Sequence, residues 1–223
     1  MINNLIKKTF FIIFLFFSNN AFCLDYQDNH EFEIFRNNKK IGYHKLSFKN
    51  IEDKTIVNTE IKMVVKLGII PVFQYFHKAE EVWLGNKFIE ANTRTKKNSR
   101  EFELKAIRKG SKIEINSRGK IFFIDGDSLI TSYWQKNWLN KKILIDSQHG
   151  KKRLINVKKK NIETITTSFG EISAQKYHVT GTKEKLKGKK IDYDIWYDEK
   201  NRWVKLKFLI KNSLIEYFLV TKY

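Results

Sequence analysis

Cysteine and proline are nearly missing from this 223-residue chain, which has one of each, Cys23 and Pro71, beside ten glycines. A lone cysteine can build neither an internal disulfide framework nor a cysteine-based zinc site. A lone proline excludes a collagen-like or proline-rich chain. Acidic residues are scarce too, 24 against 43 lysines and arginines, for a formal net charge of +19. No linker, low-complexity block or internal repeat interrupts the chain, and it contains no glycine-rich phosphate cradle. Core-forming residues, in contrast, are plentiful. At 42% hydrophobic and 14% aromatic the composition is not that of a disordered chain, whatever its charge.

The N-terminal 23 residues set the expected compartment. Lys7 and Lys8 precede an apolar run at 9–17 (TFFIIFLFF), a polar break at Ser18-Asn19-Asn20, and Ala21-Phe22-Cys23. That is the order of a secretory signal peptide over 1–23, cleaved before Leu24. The run is far shorter than the roughly 20 residues a membrane-spanning helix needs. Retention as an anchor and acylation of Cys23 are the alternatives; the latter wants a small residue before the cysteine, where Phe22 is bulky. Cleavage removes the only cysteine and, with Lys7 and Lys8, two of the 43 positive charges, so the net charge falls from +19 to about +17. A periplasmic protein without disulfides is expected, and it must be held by core area.

From residue 24 to 223 we expect a single β domain. Apolar and polar residues alternate with period two between turns of Asn, Lys, Gly and Asp. Ile61, Met63 and Val65 oppose Lys62 and Lys66; Phe102, Leu104 and Ala106 oppose Glu101, Glu103 and Lys105. One stretch differs. Leu129, Ile130, Tyr133, Trp134, Trp138 and Leu139 recur at spacings of three and four, which predicts a short helix near 128–140, capped by Asp127 or Ser128. A dozen or so consecutive strands with one helix and no βαβ rhythm give an all-β antiparallel meander, curled into a barrel or half-barrel. Lysines on both faces of several strands argue against a membrane-embedded barrel, so the mature chain is not expected to span a membrane.

Short pieces in a fixed order resemble an exported bacterial family, domain of unknown function 6134. They are residues 32–42 (FEIFRNNKKIG), 77–83 (HKAEEVW), 93–98, Thr131-Ser132-Tyr133-Trp134, Leu144-Ile145-Asp146 before Gly150, and Tyr197-Asp198 ahead of Arg202-Trp203-Val204. Gln135 stands where the pattern leads one to expect Asn. The resemblance implies a Gram-negative periplasm and a distant likeness to curved-sheet proteins, including carriers of lipid or lipoprotein.

Candidate chemistry is thin. His77 and Glu81 are four apart, but on a strand rather than on the helix that zinc motifs of this spacing require, so no metal site is expected. On a strand the two share one face and Glu80 points the other way. They remain weak polar candidates and the basis of the least favoured reading, a hydrolase. Ser128, Thr131 and Ser132 lack a nucleophile elbow. Asp192 and Asp194 share a strand face beside the lysine-rich loop 183–190, with no third group. We therefore expect no enzyme and no cofactor.

The aromatic residues are more suggestive. Tyr133, Trp134 and Trp138, with Trp83 as neighbour, can fill the core, or they can wall an apolar pocket for a lipid-like or other hydrophobic ligand. The basic clusters at 151–153, 158–160 and 183–190 attract polyanions. However, 36 of the 43 cations are lysine, which suits lipid headgroups better than base readout. With 19 asparagines and 28 isoleucines, the lysine excess also fits AT-rich codon usage. Nucleic acid is not an expected partner. The expectation is non-enzymatic binding of a hydrophobic or lipid-like ligand or an envelope surface; the alternative is a structural or assembly factor that meets a partner protein.

Overall fold

Hairpins follow one another along nearly the whole chain. The computed structural model describes residues 29–183 and 191–221. The expected signal peptide, Cys23 and most of the 183–190 loop lie outside these. Fifteen strands form: β1 (His30–Arg36), β2 (Lys39–Ile51), β3 (Lys54–Leu67), β4 (Ile70–Leu84), β5 (Lys87–Lys97), β6 (Arg100–Lys109), β7 (Lys112–Ser117), β8 (Lys120–Asp125), β9 (Leu129–Ile130), β10 (Ile143–Ile145), β11 (Lys152–Thr167), β12 (Gly170–Lys183), β13 (Ile191–Asp198), β14 (Trp203–Ile210) and β15 (Ser213–Leu219). They make one sheet in the order β8-β7-β6-β5-β4-β3-β2-β1-β15-β14-β13-β12-β11-β10-β9.

Every described pairing is antiparallel except β9 with β10. Two-residue turns keep the meander tight. Asn37-Asn38, Arg118-Gly119 and Lys211-Asn212 all hold positive φ at both positions, the geometry that matches the right-handed twist of hairpin strands. Gly42 is needed for another reason, since a Cβ there would meet the Lys62 carbonyl oxygen of β3 at 1.7 Å.

The sheet is open, yet its two edges are neighbours in sequence. Only residues 126–128 separate β8 from β9, so the edges stand no more than roughly 14 Å apart at that point. Fifteen strands must curl to allow this, and one face becomes the interior. On it lie Phe32, Ile34, Leu46, Val57, Trp83, Phe88, Leu104, Ile113, Ile115, Ile195 and Leu206, all buried. The all-β antiparallel meander is thus what forms, as an open curl.

The expected helix is much shorter. Residues 128–140 yield the β9 strand, a bend and a 3-10 helix over Lys136–Asn140. Leu129 and Ile130 pair with Leu144 and Ile145, and Thr131 extends that strand by donating both its N–H and its hydroxyl to the Ile145 carbonyl at 2.7 and 2.8 Å. Asp125, rather than a helix cap, organises the start: its carboxylate takes the Asp127 N–H at 2.9 Å and its carbonyl the Ser128 N–H at 3.1 Å. The three-and-four spacing reports burial of Leu129, Trp134 and Trp138 from an irregular segment.

Candidate functional site

The segment 128–140 lies across the interior, and its rings are packed. Trp83, Trp134 and Trp138 are each 1% exposed. Trp134 meets Trp83 edge to face at 5.4 Å and Phe48 at 5.5 Å, and Trp83 meets Phe88 at 5.4 Å. Tyr133 belongs to a second cluster, with Trp138, Tyr193 and Trp203 at 5.6, 5.8 and 5.4 Å. Polar atoms among these rings are consumed in pairs. The Trp138 indole donates to the Tyr197 hydroxyl at 2.8 Å, which donates to the Tyr133 carbonyl at 2.7 Å. The four aromatic residues expected around a pocket therefore divide between two stacks inside the filled core.

His77 and Glu81 share the interior face of β4, as their spacing predicts, and both are buried while Glu80 is exposed. They do not meet. Four residues of strand separate them by roughly 13 Å, and each has its own partner: Thr95 Oγ1 lies 2.8 Å from His77 Nδ1, and the Trp83 indole donates to Glu81 at 2.9 Å. Burial pushes the Glu81 carboxyl up to about 7, against the pull of hydrogen bonds from Trp83, Ser132 and Trp134. Burial likewise lowers His77 to about 4 and His44 to about 3. His44 sits opposite Ile61, which sits opposite His77. It is boxed by Trp203 at 5.1 Å and by Phe32 and Tyr217 at 6.0 Å, and neither of its ring nitrogens has a hydrogen-bond partner among the described residues. The two histidines are neutral core groups, and the hydroxyls nearest the candidates are Thr95 for His77 and Ser132 for Glu81.

The other polar candidates resolve into turns and surface pairs. Asp194 faces His178 at 2.8 Å and Lys176 at 3.2 Å, while Asp192 stays exposed. Asp146 caps its own loop: it accepts the N–H groups of Gln148 and His149 at 3.1 and 2.8 Å and pairs with Arg153. Burial alone would raise the Asp146 carboxyl, but these partners hold it well below the usual range. The loop is pinned by Thr93, whose hydroxyl donates to the Ser147 carbonyl at 2.6 Å. Asp198 similarly accepts the Arg202 N–H at 2.8 Å and its Nε at 2.7 Å. Among the described residues no group of three or more His, Cys, Asp or Glu could hold a metal ion.

A feature absent from the sequence reading is an open groove of about 960 Å³ across the polar face of β1 to β7. Register builds it from two cross-strand rows. One runs Glu31, Lys45, Glu60, Lys78, Arg94, Glu103; the other runs Ser47, Asn58, Glu80, Asn92, Lys105, Asn116. The first row neutralises itself through pairs at 3.1, 3.5 and 3.2 Å. Alternating charges and amides suit a polar, extended partner and give a polyanion little purchase. Only the strand pairing reveals these rows, since their members are spread over 86 positions of sequence, from 31 to 116.

Comparison with known proteins agrees with the fold. A family model described as a domain of unknown function (DUF6134) matches residues 32–220. No curated protein matches the sequence. Among solved structures, a β-barrel-like protein of domain of unknown function DUF1849 from Brucella abortus aligns over 86% of this chain and 94% of its own, with a TM-score of 0.57 and 10% identity. A candidate lipoprotein from Parabacteroides distasonis aligns over 86% and 92%, with a TM-score of 0.38 and 9% identity. The first shows a shared fold; the second is too loose to argue from.

Proposed function

The chain belongs to the DUF6134 family, and for it we propose a non-enzymatic role: an exported, periplasmic protein that binds through the outside of its sheet. The partner is a hydrophobic or lipid-like substance at an envelope surface. One observation carries this reading. Trp83, Trp134 and Trp138 fill the interior at 1% exposure each, whereas Leu67, Ile69, Ile70 and Leu209 are between 64% and 92% exposed. Apolar contact area is therefore offered outside rather than around a cavity. The separate partners of His77 and Glu81 support a role without catalysis.

The test is native mass spectrometry with lipid extraction on protein purified from its own periplasm. The expected result is a bare chain mass. One lipid retained per chain, surviving dilution, would place the ligand inside and overturn the reading. A second reading, an assembly factor that meets a partner protein, is favoured by the charge-balanced groove over β1 to β7.

A further inference from the structure

Most turns of this meander are polar, built from residues such as Asn37-Asn38, Asn98-Ser99 and Lys211-Asn212. The β3–β4 turn is not. It reads Leu67-Gly68-Ile69-Ile70, followed by Pro71 and Val72, and the four aliphatic side chains next to Gly68 and Pro71 are exposed: Leu67 74%, Ile69 92%, Ile70 64% and Val72 53%. Hydrocarbon that exposed contributes nothing to the core, so its presence calls for an external contact.

Register groups this turn with two others. β4, β3, β2, β1, β15 and β14 are consecutive in the sheet, so the turns at 68–69, 37–38 and 211–212 leave from the same end. The Asn37 N–H donates to the Leu214 carbonyl at 2.9 Å and ties the second turn to the third. Leu209 (70%) and Ile210 (43%) add exposed hydrocarbon there. The β3–β4 hairpin also overhangs its neighbour β5, whose turn ends where the Asn98 N–H reaches the Gln74 carbonyl. Residues 70–73 run past that point, by roughly 13 Å of strand. Within the overhang Pro71 lacks an N–H, which handicaps pairing by an added strand from another chain.

At the base of the overhang is a cleft of about 470 Å³, lined by four cations, Arg36, Lys39, Lys40 and Lys66, and by no acid. Arg36 Nε donates to Ser213 Oγ at 2.9 Å and Lys40 pairs with Glu33. Lys39 and Lys66 form no ion pair among the described residues. No acidic residue occurs anywhere in 36–41, 64–74 or 209–214. An aliphatic tip ahead of a ring of cations, of which Lys40 alone pairs with an acid among the described residues, is complementary to a bilayer interface: hydrocarbon enters the acyl boundary and lysines meet phosphate.

We propose that this end of the sheet docks on an anionic phospholipid surface, with Leu67, Ile69 and Ile70 inserted and a lipid phosphate held between Lys39 and Lys66. This rests on the reading that the protein binds from its outside.

The probe is flotation with vesicles of phosphatidylcholine alone or mixed with phosphatidylglycerol. The chain used starts at Leu24; it retains all fifteen strands and lacks the N-terminal apolar run, which would bind any vesicle. The expected result is binding to the anionic vesicles that weakens with salt. Lys39→Glu with Lys66→Glu should lower it on the order of a hundredfold, and Leu67→Glu with Ile69→Glu about tenfold or more. Lys54→Glu with Lys87→Glu makes the same charge change at the opposite end and should cost less than about twofold. Ile69→Trp should show a blue-shifted emission component on anionic vesicles. Thermal melts establish that each variant is folded. The proposal is overturned if the parent does not float, if it floats equally on neutral vesicles, or if the opposite-end pair loses as much as the cleft pair. Failure to float with a bare interior removes docking and leaves the surface reading. A lipid retained inside the chain removes the reading itself.

Discussion

The aromatic interior and the aliphatic hairpin end put their hydrophobic side chains to opposite uses. Inside, Trp83, Trp134 and Phe48 interlock edge to face, and the Trp83 indole donates to the buried Glu81. At the hairpin end Leu67, Ile69 and Ile70 touch little and stand among lysines. Residue types that draw attention as chemistry, indoles, imidazoles and a carboxylate, are thus buried here. The plain leucine and isoleucine of a turn are the exposed part, which the docking proposal assigns to a partner. Chemical interest and functional exposure are separable, and burial separates them.

The largest expected effect lies on the interior side. Trp134→Ala removes a fully buried indole from a site ringed by Trp83 and Phe48, and the surrounding strands cannot collapse into the space. We expect a loss of about 3–5 kcal/mol in unfolding free energy, measured by urea or guanidinium titration. A loss below about 1 kcal/mol would mean that the interior is looser than the ring contacts imply, and would revive a pocket there.

Next comes the titration of the buried polar groups, whose two slopes oppose each other. Folded Glu81 keeps its proton up to about pH 7, while the unfolded chain releases it near 4.5. The folded state holds the extra proton between those values, so this group makes stability fall as pH rises through that window. Glu81→Gln should remove that fall, a difference of roughly 3 kcal/mol across the window at most. The histidines act the other way. His30 and His44 are held at about 3 and His77 at about 4, against 6.5 in the unfolded chain. The folded state carries fewer protons below pH 6.5, so stability is lost as pH drops toward 3, and His44→Phe should blunt that loss. Superimposable pH–stability curves for parent and both variants would show that these sites are wetter than their burial indicates.

How far the sequence foretold this arrangement depends on how local each feature is. Alternation such as Ile61-Met63-Val65 against Lys62-Lys66 marks β3 because one face is buried and the other wet. β8 is hard to read from sequence because Ile121 and Phe123 are exposed while Phe122 and Ile124 face inward, so apolar residues fall on both faces. β11 reads as two pieces because a bulge between Lys159 and Ile162 falls in its lysine run. The pieces that carry the family resemblance mostly prove to be joints: Gly42 at a close approach, Asp146 and Asp198 at turns, Trp203 stacked on Phe32 at 3.9 Å. His77 and Glu81 were legible as face-sharing neighbours, but their separate partners were not, because Thr95 comes from β5. The hairpin end was invisible because it depends on β1 pairing with β15 across some 180 residues of chain.

The smallest expected effect is also the one that most sharply divides the two regions. Ile69→Ser and Leu67→Ser alter side chains at 92% and 74% exposure, beside a Gly68 that already supplies the positive φ the turn needs. Their loss strips no core contact, so unfolding free energy should move by less than about 0.5 kcal/mol. A decrease of 1 kcal/mol or more would show that the tip folds back onto the protein and is part of its packing. No change, together with weaker vesicle flotation, would mean that these side chains are kept for something outside the chain.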